Sequence, residues 1–262
     1  MKKTLIVIPC FDTVKTAFFN SFIKLRKTPG ASYVTVENTM VHDSRNIAAE
    51  NAIQAGFDRF MWFDSDMEFQ PDTLEALERD MDENGLDFVS GLYFTRRPPD
   101  IKPVVFKEMS FEWLEDGTYE AISKFYFDYP RDQLFECAGV GFGCCLTSVD
   151  LLKRVTEKYG APFNPMPSMG EDVSFCLRAR KIGVKLFCDS RVKCGHVGQA
   201  VYDEKYYHRK TTWEVTHDFD DNKEAMRPLG RVVRCSNCGY LENRVIPHFC
   251  PNCGAETAEQ NK

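Results

Sequence analysis

"DRFMWFDSDMEFQPDTLEAL", residues 58–77, is the stretch on which the fold turns. Phe60 to Phe63 are large and apolar without alternation, as in a strand buried on both faces. Asp64 and Asp66 follow at its tip. Pro71 then falls where a first helical turn is expected, and the helical period runs on to a stop at Gly85. A strand that ends in carboxylates and feeds a helix is half of a βαβ unit.

The same alternation extends to both sides. "KTLIVI" is an apolar strand ended by Pro9, and Val14, Phe18, Phe22 and Leu25 mark a helix after it. "ASYVTVE" is a second strand. "DSRNIAAENAIQAG" is a helix expected to start at Asp43 or Ser44 and to stop at Gly56, and "LDFVSGLYF" is the strand after Gly85. This pattern predicts an α/β domain with a mostly parallel sheet and helices on both faces. In such sheets ligands lie beyond the carboxyl ends of the strands, which places Pro9, Phe11, Asp12, Asp64 and Asp66 at the binding edge. From residue 95 to 135 the pattern loosens into short antiparallel strands and loops. A glycine-rich turn, strand and helix follow, then a helix opening at Glu171 and Asp172, then a strand leading to His196.

The chain has 262 residues, room for one large domain and a small module. Its net charge of −6 gives no global basic surface for nucleic acid or anionic membrane. The apolar run after the first two lysines is short and reaches Pro9, so it reads as a first strand and not as a leader. No apolar stretch approaches the length of a membrane span. Of 11 cysteines, seven are scattered through residues 1–194, mostly in apolar runs, and four form two tight pairs near the end, which points to a reducing cytoplasm.

Asp64 and Asp66, two apart on an extended strand end, would share a face and could hold Mg2+ or Mn2+ through hard oxygen ligands. An isolated Asp-x-Asp is commonly a helix cap beside a solvated charge, and acidic residues in a first helical turn often serve only the helix dipole. A lone histidine is commonly structural. The combination of all three at one sheet edge is what points to a site.

In "IVIPCFD", "SRNIAAENAIQAGFDRFMWFDSDMEFQPDTLEAL", "AGVGFGCCL" and "GEDVSFCLRARKIGVKLFCDSRVKCGHVG" the chain resembles the GT-A glycosyltransferases, the family 2 type in particular, over residues 1–200. The resemblance implies a nucleotide-diphosphate sugar as donor and transfer to a hydroxyl acceptor. It implies Asp64 near the ribose and a metal-bound water, Asp66 as a direct ligand of Mn2+ or Mg2+, and His196 completing the metal site. Pro9, Phe11, Asp12 and Arg45 would face the nucleotide, and Asp172, with Glu171 second, would act as the acceptor-side base. "VTVENTMVHDSRN" lacks the Asp-Asp-Gly-Ser run usual after the second strand, which leaves UDP-sugar and GDP-sugar donors both open.

Residues 201–230 read as a wrapping segment or linker, and 231–262 as a separate module. There Cys235 and Cys238, then Cys250 and Cys253, are two C-x2-C pairs 11 residues apart, each followed by glycine. Four thiolates at that spacing close a tetrahedral structural Zn2+ site, a zinc ribbon, whose metal supplies much of the folding free energy. Arg227, Arg231 and Arg234 beside it could touch nucleic acid, or the ribbon could contact protein. Three functions therefore stand: a metal-dependent glycosyltransferase, a glycosyltransferase acting on a modified base of a nucleic acid held by the ribbon, and a non-catalytic sugar-nucleotide-fold binding module.

Overall fold

The computed structural model describes residues 2–96, 101–198, 201–204, 207, 231–234 and 241–244. The chain divides into two units, Met1–Tyr207 and His208–Lys262.

In the first unit β1 (Thr4–Pro9) is followed by α1 (Thr16–Lys24), β2 (Ser32–Val36), α2 (Val41–Gln54), β3 (Arg59–Phe63), a two-residue β4 (Met67–Glu68), α3 (Thr73–Asn84) and β5 (Phe88–Leu92). The expected helix starts shift by a few residues. α2 begins at Val41, ahead of Asp43 and Ser44, and Ser44 turns its hydroxyl back to Thr39. Pro71 lies before the first turn of α3, inside a tight turn closed by the Thr73 N–H on the Gln70 carbonyl (3.2 Å). Gly85 ends α3 in the left-handed region (φ 63°), where a side chain would be strained.

An excursion follows: β6 (Val105–Trp113) and β7 (Tyr119–Phe125) form a hairpin, then come β8 (Leu134–Cys137) and β9 (Gly139–Val140). The chain re-enters the main sheet as β10 (Cys144–Ser148) and continues through α4 (Val149–Tyr159), α5 (Glu171–Lys181), β11 (Leu186–Lys193), β12 (Gly195–Val197) and β13 (Val201–Tyr202). Ser148 caps α4, its hydroxyl accepting from the Leu151 N–H at 3.0 Å.

The main sheet has the order β2-β1-β3-β10-β5-β11-β8. It is mixed, not mostly parallel: three of its six pairings are antiparallel, those of β10 with β3 and β5 and of β8 with β11. The reason is topological. The chain leaves β5 at its carboxyl end, and β6 pairs β9 with Val105 opposite Val140. It therefore returns at the edge it left from, and β10 must run down the sheet.

Alternation sends Leu5, Val7, Phe60 and Trp62 to one face and Ile6, Ile8, Met61 and Phe63 to the other. Helices α2, α4 and α5 cover the first face, and α1 and α3 the second. Trp62 is fully buried, with its indole N–H donating to Thr147 Oγ1 at 2.9 Å. Two covered faces explain why these strands are apolar throughout and why their carboxyl ends are the open edge.

In the second unit β14 (Arg231–Arg234) and β15 (Leu241–Arg244) pair antiparallel, Arg234 opposite Leu241. Cys235, Cys238, Cys250 and Cys253 lie outside the described residues. Among the described residues, no helix is long and apolar enough to cross a membrane.

Candidate active site

The two aspartates do not sit on extended strand. β3 stops at Phe63, and Asp64 to Met67 form a tight turn in which the Met67 N–H donates to the Asp64 carbonyl (3.1 Å). Asp64 N–H in turn donates to the Gly143 carbonyl (3.1 Å), fixing the turn to the glycine-rich segment before β10. A strand continued past Phe63 would lose the turn bond from Met67 to Asp64.

β4, directly after the turn, brings in the distant histidine. It pairs antiparallel with β12, His196 standing opposite Met67, and the Val197 N–H donates to the Asp66 carbonyl at 2.7 Å. β13 completes this small sheet on the far side of β12. His196 Nδ1 lies 2.9 Å from the Phe94 carbonyl oxygen, an acceptor that places the ring proton on Nδ1. Nε2 is thereby turned toward Asp66 Oδ2, 3.6 Å away.

The glycines of "AGVGFG" serve close approach. A Cβ on Gly141 would run into the Tyr93 hydroxyl, and one on Gly143 would lie 2.9 Å from Tyr93 Cζ and 3.0 Å from Met67 Sδ. Tyr93 can therefore lie beneath the aspartate turn, where its hydroxyl accepts from the Gly143 N–H at 3.2 Å. Burial first, then the Asp64 and Asp172 charges, push its pKa well above the usual tyrosine range, so it stays a neutral phenol.

These segments meet around a cavity of about 770 Å3 at the carboxyl edge of the sheet. Pro9, Phe11, Asp64, Asp66, Glu171, Asp172 and His196 all line it, drawn from four separate stretches of chain. Phe11 stands 66% exposed at the mouth. Asp12 is exposed on the same loop but does not line the cavity.

Arg45 is buried beside the site. Its side chain is only 2% exposed and is not among the residues that line the cavity. Nη2 donates to Asp64 Oδ1 at 2.6 Å and Nη1 to Glu171 Oε1, and the guanidinium lies 5.3 Å from the centre of the Phe142 ring. A guanidinium has no acceptor and cannot deprotonate in this setting, so it fits between two carboxylates. Burial alone would lower its pKa, but Asp64, Glu171 and Asp172 more than reverse that.

The remaining electrostatics separate the acids. Burial raises the Asp64 pKa, opposed by Arg45 and reinforced by Asp66 and Glu171. Burial also pushes Asp66 upward, but the neighbouring His196 and the bond and charge of Arg96 hold it below the usual carboxylate range. Asp172 is pushed up to about 6, by burial first and then by the neighbouring Glu171 charge. A carboxylate poised near 6 is ionised at neutral pH yet basic enough to accept a proton. Glu171, by contrast, is tied to Arg45.

Asp66 Oδ2 and His196 Nε2 converge on the part-buried cavity wall, an oxygen and an imidazole nitrogen that fit Mn2+ with outer positions left for phosphate and water. Asp64 is already held by Arg45. Among the described residues, no three His, Cys, Asp or Glu side chains form a complete cage. The donor set fits a cation that shares its coordination with a substrate.

Two polar lining residues with a direct bond to the site's framework, Tyr93 and Arg96, were not singled out in the sequence. Tyr93 and Arg96 sit at and just beyond the carboxyl end of β5. The rule that located Asp64, looking past strand ends, applies equally to β5. Arg96 Nη1 donates to Asp66 Oδ2 and to the Val197 carbonyl, the latter at 2.9 Å.

No family model matches the chain, and no curated protein matches it. Solved structures do. A197 from STIV is similar with a TM-score of 0.55 and 20% identity, over 75% of this chain and 86% of that one. GalNAc-T7, solved with UDP, GalNAc and Mn2+, is similar with a TM-score of 0.51 and 11% identity, over 76% of this chain and 44% of that one. The chain thus spans less than half the length of GalNAc-T7. At these identities the likeness shows the fold, which is GT-A-like.

Proposed function

We propose that the first unit is a metal-dependent glycosyltransferase that takes its sugar from a nucleoside-diphosphate donor. One observation carries the reading: Asp64, Asp66, Glu171, Asp172 and His196, distant in sequence, line one cavity at the open edge of a GT-A-like sheet. A fold of this kind hosts many chemistries, so the argument rests on the site.

Asp66 and His196 would hold the cation, with Asp64 fixed by Arg45 beside it to orient a bound water or the ribose. When bound, the cation would supply Lewis-acid stabilisation of the diphosphate leaving group. Asp172 takes the proton from the acceptor hydroxyl, its raised pKa matched to that work. Glu171 instead keeps Arg45 in place. Pro9 and Phe11 border the nucleotide half of the cavity. The UDP in GalNAc-T7 makes UDP-sugars the first donors to try, with GDP-sugars next.

For the second unit we propose a structural zinc ribbon. The antiparallel pairing of β14 and β15 supports it, because the six residues between these strands contain Cys235 and Cys238, where a ribbon places a cysteine knuckle.

The test is hydrolysis of UDP- and GDP-sugars, with water standing in for the acceptor, in the presence and absence of Mn2+. Mn2+-dependent release of UDP or GDP from at least one sugar, lost in Asp66→Asn, is expected. Release that ignores both Mn2+ and the substitution would overturn the reading.

A further inference from the structure

Arg96 stands in a place that has consequences for the order of binding. Among the described residues that line the cavity, it carries the only permanent positive charge, against the four carboxylates Asp64, Asp66, Glu171 and Asp172. Its guanidinium is bonded to Asp66 Oδ2, the same oxygen that lies 3.6 Å from His196 Nε2. A divalent cation bridging Asp66 and His196 would need that oxygen. Arginine and cation cannot both occupy it without setting two positive charges a few ångströms apart in a part-buried wall.

The two arginines of the site differ in their freedom to move. Arg45 is 2% exposed and pinned by two carboxylates. Arg96 is 43% exposed and, among the described residues, held by one carboxylate and one carbonyl. Its planar fork matches two oxygens of a phosphate as well as it matches a carboxylate. A diphosphate entering the cavity meets a surplus of negative charge, which Arg96 can relieve only if it is released from Asp66.

We propose that Arg96 is an exchangeable counter-charge: it guards Asp66 against a cation arriving alone, and passes to the diphosphate when cation and nucleotide arrive together. The inference rests on the function proposed above and adds to it a source of cooperativity. Cation and diphosphate then each raise the affinity of the other by one common factor, as linkage requires.

The experiment is titration of Mn2+ into the full chain, read from the electron-paramagnetic-resonance signal of the free ion. It is done alone and with saturating UDP, then with GDP, correcting for Mn2+ held by the free nucleotide. Wild type should bind Mn2+ weakly alone and about 10-fold more tightly with one of the nucleotides, a coupling of ordinary size. Arg96→Gln should bind Mn2+ alone about 10-fold more tightly than wild type, and the nucleotide should add little. Arg96→Lys, which keeps the charge but loses the fork, should fall between them, and a preserved thermal midpoint shows that either variant is folded.

Equal Mn2+ affinity and equal coupling in wild type and Arg96→Gln would overturn the exchange. So would tighter Mn2+ binding with the coupling intact, because Arg96 would then guard Asp66 without ever reaching the phosphates. The underlying function fails by a different result: no Mn2+ binding by any of the proteins with either nucleotide, or full affinity in Asp66→Asn.

Discussion

Replacing Arg45 by methionine keeps much of the side-chain volume and removes the charge. In the wild type one guanidinium, 2% exposed, spans Asp64 and Glu171, which are 32% and 16% exposed. The variant leaves two like charges facing each other across a buried gap. Breaking a buried ion pair on one side costs about 3–5 kcal/mol. The partial exposure of Asp64 lets water take up some of the loss, which favours the lower end, about 3 kcal/mol. For a unit of this size that corresponds to a fall in Tm of roughly 6–12 °C. Denaturant unfolding followed by fluorescence of the buried Trp62 reads this change in the first unit. The loss should shrink at acid pH, where Asp64, its pKa already raised by burial, can take up a proton. It should also be largely recovered when Asp64→Asn and Glu171→Gln are added, since the uncompensated charges are then gone. A loss below about 1 kcal/mol at neutral pH would refute the assignment of Arg45 as the buried counter-charge of the site.

Other expectations follow from particular side chains. Asp172→Asn should bind donor normally and turn over about 10²- to 10⁴-fold more slowly, and the rise of the wild-type rate through pH 6 should vanish in the variant. A retained rate or an unchanged pH profile removes Asp172 from the proton transfer. Asp80 in α3 faces Asp189 in β11, with Arg191 bonded to both. Burial first, then the bond and charge of Asp189, push Asp80 up to about 7. A folded-state carboxyl raised above its unfolded value binds extra protons, so its contribution is full below about pH 4 and is lost as pH rises through about 7. Stability from this group should therefore decline between about pH 4 and 7, and Asp80→Asn should flatten that slope. An identical slope in the variant would show that the shared proton is absent. Metal analysis of the purified chain should find about one tightly held zinc, lost on truncation before Arg231. Zinc kept by the truncated chain would place the ion elsewhere.

Much of the fold was legible because burial on both faces leaves an unmistakable mark. "LIVI" and "FMWF" are apolar without alternation, and Gly56 and Gly85 punctuate the helices before and after them. The direction of β10 was not legible. "CCLTS" is equally apolar in either sense, and only the pairing of β6 with β9, distant in sequence, sends it down the sheet. β4 was invisible for a related reason: two residues carry no period, and the strand exists through its pairing with β12. Proximity of Asp66 and His196 was therefore not contained in the spacing of either. The individual site residues were legible because strand ends at one edge of an α/β sheet must face a common space. The burial of Arg45 was not legible, because the two carboxylates that hold it come from the β3 turn and the start of α5, distant from it in sequence. Arg96 was passed over in a stretch rich in arginine and proline, although it follows a strand end as Asp64 does.

The central claim is that Asp66 and His196 together make a cation site that serves a nucleoside-diphosphate sugar. Calorimetric titration of UDP-sugars and GDP-sugars into wild type, Asp66→Ala and His196→Ala, each with and without Mn2+, tests it most directly. The account predicts Mn2+-dependent binding of at least one donor to wild type, no such binding to Asp66→Ala, and weakened binding to His196→Ala, with all three proteins equally folded. Unchanged Mn2+-dependent affinity in Asp66→Ala would contradict it.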